Sequence, residues 1–372
     1  MKIKFDYQIF TTQKYGGISK YFYYLAKELN KTNNEARIIS PIFISHIIRD
    51  SDFVSGKFFS IESRLILRAI RYLNMILDFL FISSKSYDVF HKTYYSVISG
   101  SKTSKNSKNI ITVFDMTHEV YPNYFRDSAK VSRSKKIACK KASNIICISN
   151  STKKDLIKFY GINEKRISVI HLGFDKNIFF KDKLNNNLKS KLGKFLLYVG
   201  ARNGYKNFKT LRDLYIEDSN LRSNYKLILF GGEKFSKEET SIIKKHNLHD
   251  KIIRVDGSDK QLAKYYNSAE IFIYTSIYEG FGLPIIEAMA CGCPVLAVNL
   301  DVTREVAHNG ACLISNPFDK NELSNLIHNI LTKKEFKNNL IKNGFANVKR
   351  FSWDKCASDT LKVYESNIKK IN

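Results

Sequence analysis

The sequence predicts an α/β chain built as two doubly wound, parallel-sheet domains. Short apolar, β-branched or aromatic runs alternate with stretches of helical periodicity along the whole chain, which is the pattern of strand–helix–strand units. At 372 residues the chain is long for one domain and comfortable for two. A polar, Asn-rich stretch, "KNIFFKDKLNNNLKSKLGK" (176–194), separates two such series and suits a linker.

In the first series the opening run "KIKFDYQIF" predicts a strand over 3–10, and the apolar spacing of "ISKYFYYLAKEL" a helix over 17–30. Strands follow at 36–43, 88–91, 109–115, 144–149 and 167–170, joined by helices at 64–82, 130–142 and 150–160. The run at 64–82, "RLILRAIRYLNMILDFLFI", is the most apolar, but Arg64, Arg68, Arg71 and Asp78 interrupt it at helical spacing. It predicts an amphipathic helix rather than a membrane span. The second series places strands at 195–200, 225–230, 251–255, 270–275, 295–298 and 311–314. Its helices fall near 206–216, 236–247, 259–268, 285–291, 319–332 and 334–349. A last helix, 353–369, comes after "KRFSW". The expected domains are 1–178 and 192–350, with 353–372 packing back on the first. Ligands of such sheets bind beyond the carboxyl ends of the strands, so the cleft between the two domains is the expected site.

Composition narrows the class. With 44% hydrophobic residues and five prolines the chain is globular. Its N-terminus enters a strand pattern with no cleavage site, so no signal peptide and a cytoplasmic protein are expected. Six scattered cysteines, of which only Cys291 and Cys293 are close, suit a reducing compartment and no zinc site. The net charge of +26 is weighted toward residues 1–175, which hold 29 Lys/Arg against 14 Asp/Glu. Its densest cluster is "KVSRSKKIACKK" (130–141). Two readings stand side by side: a solvated lysine-rich face shaped by codon bias, or a surface for an anionic membrane, phosphorylated substrate or nucleic acid. The basic residues are not interleaved with aromatics in a nucleic-acid motif, so no nucleic acid is expected as partner.

The stretch "YEGFGLPIIEAMACGCPV" (278–295) concentrates the chemistry. "AEIFIYTS" before it reads as a buried strand; Gly280 and Gly282 allow a sharp turn, and Pro284 opens a helix. Glu279 then lies on the loop leaving a strand and Glu287 about one turn into the next helix. Between them stands a helix N-terminus with free N–H groups, suited to phosphate. Phosphate in the middle with a carboxylate on either side to hold hydroxyls describes a nucleotide-sugar site.

That stretch resembles the Glu-x7-Glu signature of family 4 glycosyltransferases, retaining enzymes of the GT-B fold with two Rossmann-like domains. "FDYQIFTTQKYGGISKYFYYLAKEL" is similar to the family's opening strand, Gly-Gly loop and first helix. "YVGARNGYKNF" (198–208) resembles the strand and basic loop that begin its second domain, and "DKQLAKYYNSAEIFIYTS" the approach to the signature.

The resemblance implies roles residue by residue. Gly17 lies over the donor phosphates, near the acceptor. Arg202 and Lys206 stabilise the leaving nucleoside diphosphate, on a spacing shorter than many members show; chemically, a guanidinium and an ammonium suit that task. Glu287 holds the ribose hydroxyls, Glu279 contacts the transferred sugar, and the N–H groups near Phe281, Gly282 and Leu283 bind the β-phosphate. In "ITVFDMTHEVYP" (111–122), Phe114 stands where many relatives carry a histidine; His118 takes over part of that role or is structural, and Asp115 orients an acceptor hydroxyl. His91 and Tyr94 are further acceptor-side candidates.

No Asp-x-Asp stands at a strand end, and neither a Walker loop nor Gly-x-Gly-x-x-Gly comes after the first strand. With the cationic clamp in place, neither a metal nor another cofactor is expected. The expected activity is transfer of a hexose or deoxyhexose, mannose being a common family case, from a nucleotide diphosphate sugar to a hydroxyl of a lipid-linked glycan in surface-polysaccharide assembly. The protein would sit peripherally on the inner face of the cytoplasmic membrane, on anionic lipid. The same chemistry on a soluble sugar or glucan is the alternative; a basic nucleic-acid-binding protein is a third reading that would leave the paired glutamates idle.

Overall fold

A computed structural model describes residues 1–81, 87–96, 107–182 and 187–369. The chain divides into two compact units, Met1–Gly173 with Trp353–Asn372, and Phe174–Ser352.

Among the described residues of the first unit, seven strands form one parallel sheet. They are β1 (Lys2–Phe5), β2 (Glu35–Phe43), β3 (Val54–Phe58), β4 (Val89–Lys92), β5 (Lys108–Val113), β6 (Asn144–Cys147) and β7 (Ile167–Val169), ordered 3-2-1-4-5-6-7. The helices are α1 (Gly17–Leu29), α2 (Arg64–Phe81), α3 (Thr117–Val120), α4 (Ser128–Lys141) and α5 (Asn150–Tyr160). Ile3, Phe5, Phe22, Val89, Val113 and Ile145 are buried in its core.

The second unit's strands are β8 (Phe195–Val199), β9 (Lys226–Phe230), β10 (Ile252–Val255), β11 (Ile271–Tyr274), β12 (Val295–Val298) and β13 (Ala311–Ile314). All are parallel, in the order 10-9-8-11-12-13. Its helices are α6 (Asn187–Leu192), α7 (Phe208–Glu217), α8 (Ser219–Asn224), α9 (Lys237–Lys245), α10 (Asp259–Ser268), α11 (Leu283–Ala290), α12 (Asp301–Ala307), α13 (Lys320–Thr332) and α14 (Lys334–Val348). Leu196, Ile273 and Leu296 centre its core. The closing helix α15 (Trp353–Lys369) packs on α1 of the first unit, with Trp353 stacked on Tyr24 at 4.9 Å. Both sheets are doubly wound. In each, the order reverses at one place, between β1 and β4 and between β8 and β11, so the loops after those strands are where a ligand crevice opens.

Several elements differ from expectation. The first strand ends at Phe5 rather than residue 10, because Ile9–Thr11 turn into a 3-10 helix with buried side chains. Strand β3 and helices α3, α8 and α12 are additions, all short and weakly patterned. The expected linker 176–194 contains α6.

Helix α2 spans the expected amphipathic run up to Phe81, Ile82 lying outside the described residues; Arg68 and Arg71 are exposed as expected, but the buried side is partly polar. Ile70, Asn74 and Asp78, spaced by four, are buried, the only such residues among those of the helix whose side chains are described. Asn74 exchanges two hydrogen bonds with the backbone of Ile42, and Asp78 accepts from Lys4 Nζ at 2.6 Å. Leu65, Ile66, Tyr72, Leu73 and Ile76 stay exposed. Asp78, read from spacing as part of the solvated face, points inward because Lys4 on β1 supplies its counter-charge. No helix among the described residues is long and apolar enough to cross a membrane.

Candidate active site

The second unit's switch point builds the best-defined constellation. After β8 the chain runs through Gly200 to a short 3-10 turn, Gly204–Lys206, and Asn207 in a left-handed conformation (φ 49°) hands over to α7. After β11 it runs through Thr275 and Ser276, both buried, to Glu279 and then α11. Gly282 precedes α11 with φ 106°, a value a side chain would strain, and Pro284 lies in the first turn. The two loops are tied together: Ile277 N donates to Tyr205 O at 2.9 Å, and Thr275 Oγ1 to Lys206 O at 2.9 Å. This brings Lys206 Nζ to 2.5 Å from Glu279 Oε1, with the two side chains 20% and 13% exposed.

Beneath the pair, burial raises the Tyr274 pKa, and the Glu279 carboxylate, with which Tyr274 hydrogen-bonds, raises it further. Tyr198 is likewise held protonated, by burial and then by Glu279, and donates to Ala201 O at 2.6 Å. A polar floor of neutral hydroxyls thus supports an ion pair at the start of α11. Glu287 lies in that helix, 9% exposed. Phe281 is buried with its ring edge-on to Phe351 at 5.7 Å, so its backbone rather than its side chain serves the turn.

Arg202 is placed differently from expectation. Its Nε donates to Glu239 Oε1 at 2.7 Å and its Nη2 to Glu233 O at 2.6 Å, and the guanidinium lies over Phe235. Glu239 also closes the capping box of α9 through Ser236. A Cβ at Gly232 would lie 2.4 Å from Gly200 O, so the β9–α9 loop approaches this one closely with Arg202 between them. Nε and Nη2 of the guanidinium expected to grip a diphosphate are therefore engaged in tying two loops, with 5% of the side chain exposed, while Nη1 is buried without a hydrogen-bond partner among the described residues.

In the first unit the loops at the switch point are joined by buried Asp6. Its Oδ1 accepts from Thr93 Oγ1 at 2.6 Å and Thr93 N at 3.0 Å, and its Oδ2 from Gln8 Nε2 at 2.6 Å. Gly17 is the first residue of α1, after Gly16 in extended backbone. Beyond β5, Asp115 Oδ1 accepts from Thr117 N at 2.9 Å. Burial raises the Asp115 pKa, but Lys135, the Thr117 bonds and His118 outweigh it and the carboxyl stays below its ordinary value. His118 stands half-buried on α3 against Phe125 at 4.3 Å. Burial, then Asp115, pushes Tyr94 up to about 12. Asp115, His118 and Tyr94 thus share one neighbourhood.

His91 does not join them. It is buried, with Nδ1 2.6 Å from Tyr364 Oη and Nε2 2.9 Å from Thr112 Oγ1, and burial lowers its pKa to about 3. Both ring nitrogens are committed to the core, which removes it from the acceptor side. Lys135 also leaves the basic cluster at 130–141: it is buried and donates to Glu119 Oε2 at 2.8 Å and Asp115 O at 2.9 Å. Sequence reasoning missed Asp6, Tyr198, Thr275 and Glu239. A usable signal existed for Thr275, the first polar residue after a buried strand at the signature.

Comparisons with known proteins bear on the family and the fold. The model for "Glycosyltransferase Family 4" matches residues 15–177, and that for "Glycosyl transferases group 1" residues 179–347. O-antigen chain mannosyltransferase B of Escherichia coli is 33% identical over 174 residues, covering 46% of this chain and 45% of that one. O-antigen chain mannosyltransferase RfbU of Salmonella typhimurium is 30% identical over 223 residues, covering 59% and 60%. The matched stretches thus span less than two thirds of these relatives. Sucrose-phosphate synthase from Thermosynechococcus elongatus superposes with a TM-score of 0.80 over 98% of both chains, at 19% identity. Two parallel Rossmann-like sheets, a Glu-x7-Glu turn with its lysine, and family matches over both halves together show that the chain belongs to the group 1, family 4 glycosyltransferases, enzymes of the GT-B fold.

Proposed function

We propose that this glycosyltransferase moves a hexose or deoxyhexose, with retention at the anomeric carbon, from a nucleoside diphosphate sugar to a hydroxyl of a lipid-linked glycan in O-antigen or capsule assembly. The observation that carries the reading is the Lys206–Glu279 pair, 2.5 Å apart, at the start of α11. When the anomeric C–O bond breaks, its electron pair goes to the β-phosphate oxygen and positive charge grows on the sugar ring. Lys206 and the N–H groups of Phe281, Gly282 and Leu283 meet the first charge; Glu279 meets the second. Glu287 holds the ribose hydroxyls. Gly17 lies against the donor phosphates, and Asp115, His118 and Tyr94 serve the acceptor. Arg202 acts here by positioning the Lys206 loop. These cationic groups do the work of a metal, so no cofactor takes part.

The O-antigen chain mannosyltransferase relatives support a role in O-antigen assembly and make mannose the first sugar to test. The outward apolar face of α2, with Arg68 and Arg71 exposed beside it, supports a peripheral place on the anionic inner face of the cytoplasmic membrane. The test is a panel of GDP-, UDP- and dTDP-sugars read by protection against thermal unfolding, then transfer assays with and without EDTA. One donor should stabilise the protein and be turned over equally in EDTA. Failure of every donor to stabilise it, or activity abolished by EDTA and restored by Mg²⁺, would sink the mechanism.

A further inference from the structure

We propose that Tyr15, backed by His46, is a stacking platform for a pyranose ring of the acceptor glycan. The inference rests on the lipid-linked acceptor reading above and adds the residue that holds the sugar. Tyr15 is 76% exposed, the most open large apolar side chain among the described residues. Exposure of a single aromatic ring is ordinary on a protein surface, and it is the ring's fixed orientation that distinguishes this one.

The ring is nevertheless held in place. It lies parallel to the His46 imidazole, with centroids 4.7 Å apart and planes inclined by 4°. His46 is fixed in turn by its N–H to Lys14 O at 3.1 Å and by Phe58, whose ring meets it at 4.9 Å. The Arg49 guanidinium lies over the Phe58 ring at 5.0 Å. One face of Tyr15 is therefore occupied and the other is presented flat, a pre-organised arrangement that costs little entropy on binding.

Location selects the occupant. Tyr15 directly precedes Gly16 and Gly17 at the start of α1. On its other side Lys14 Nζ lies 3.5 Å from Glu62 Oε1, in the segment leading into α2. A glycan whose lipid rests on the apolar face of α2 would bring its sugars to this ring. The C–H face of a pyranose carries partial positive charge and the face of a phenol ring partial negative charge, so the two attract without requiring a particular hydroxyl pattern.

The test uses the full chain with n-octyl mannoside, glucoside and N-acetylglucosaminide, as ligands in saturation-transfer NMR and as acceptors in transfer assays. Ring protons of at least one glycoside should receive saturation in the wild type, lose it in Tyr15→Ala and keep it in Tyr15→Phe. Acceptor KM should rise roughly 3–10-fold in Tyr15→Ala, with rescue by Tyr15→Phe and no change in donor KM. Equal saturation or equal acceptor KM in Tyr15→Ala and wild type would overturn the platform while leaving the transferase reading standing. Tyr15-dependent saturation with no transfer to any glycoside would support the platform and count against the acceptor class.

Discussion

Replacing Glu279 by Gln and Lys206 by Ala should move nucleoside diphosphate affinity in opposite directions. The two charges already neutralise each other across 2.5 Å, and the Lys206 and Glu279 side chains are 20% and 13% exposed, so solvent screens the pair only in part. Freeing the ammonium by Glu279→Gln releases an interaction worth about 1 kcal/mol for such a half-screened pair, which tightens nucleoside diphosphate binding by roughly 5-fold. Lys206→Ala removes a charge-assisted bond to phosphate worth about 1.5–3 kcal/mol, which weakens the same ligand by roughly 10–100-fold. Both substitutions should lower turnover, Lys206→Ala by on the order of 10²-fold or more, because the charges they meet are largest in the transition state. Titrating the nucleoside diphosphate calorimetrically into each variant, beside a rate assay, reads both quantities. Glu287→Ala serves as control, since losing a ribose contact should weaken nucleoside diphosphate and whole donor alike. If Glu279→Gln weakens the nucleoside diphosphate as much as Lys206→Ala does, Glu279 touches the nucleotide and not the sugar, and the division of labour is wrong.

Arg202→Ala should cost about 2 kcal/mol of stability by stranding Glu239 and freeing the β9–α9 loop, seen as a lowered unfolding midpoint; Glu239→Gln should show a smaller loss of the same kind. An Arg202→Ala variant as stable as wild type but nearly inactive would return Arg202 to the diphosphate. His91 is neutral in the folded protein and protonates near its ordinary value only when unfolded. As pH falls below about 6.5 the unfolded state therefore binds the extra proton, and stability drops by up to about 1.4 kcal/mol per pH unit until the folded value is reached. Denaturant midpoints against pH should flatten over that window in His91→Gln, and identical profiles would refute the assignment. Leu73→Asp with Ile76→Asp on α2, or charge reversal at Lys136, Lys140 and Lys141, should weaken binding to anionic vesicles, in the second case with a smaller salt dependence. Equal binding to neutral and anionic vesicles would favour the codon-bias reading of the charge and a soluble acceptor.

The alternation of strand and helix in both units and the turn around Glu279 were legible because they are local and periodic. The run "IFIY" is buried on both faces, and the glycines and proline at 280–284 punctuate the loop beyond it. Partnerships across the fold were not legible. Arg202 and Glu239 stand 37 residues apart, His91 and Tyr364 273 apart, and nothing in either neighbourhood signals the other. The same blindness hid the polar contacts of α2. Periodicity finds apolar and polar positions but not which polar ones face the sheet, and Lys4 and the Ile42 backbone draw Asp78 and Asn74 inward beside Ile70. Lys135 fails for the converse reason, since a run of lysines looks uniformly solvated until Glu119 draws one of them inward.

The return of α15 to the first unit also sets an order of events during synthesis. The unit that begins the chain receives its last helix only after the whole of the other has been made. At about 5–20 residues per second, the roughly 180 intervening residues take on the order of 10–40 s to emerge. Throughout that interval the His91 Nδ1 has no Tyr364 to meet, and the side of α1 that carries Tyr24 has no Trp353 to cover it. The second unit, contiguous in sequence, needs no segment from beyond its own span. A nascent chain would thus carry an unfinished first unit, with the apolar face of α1 open to chaperones until the final helix arrives.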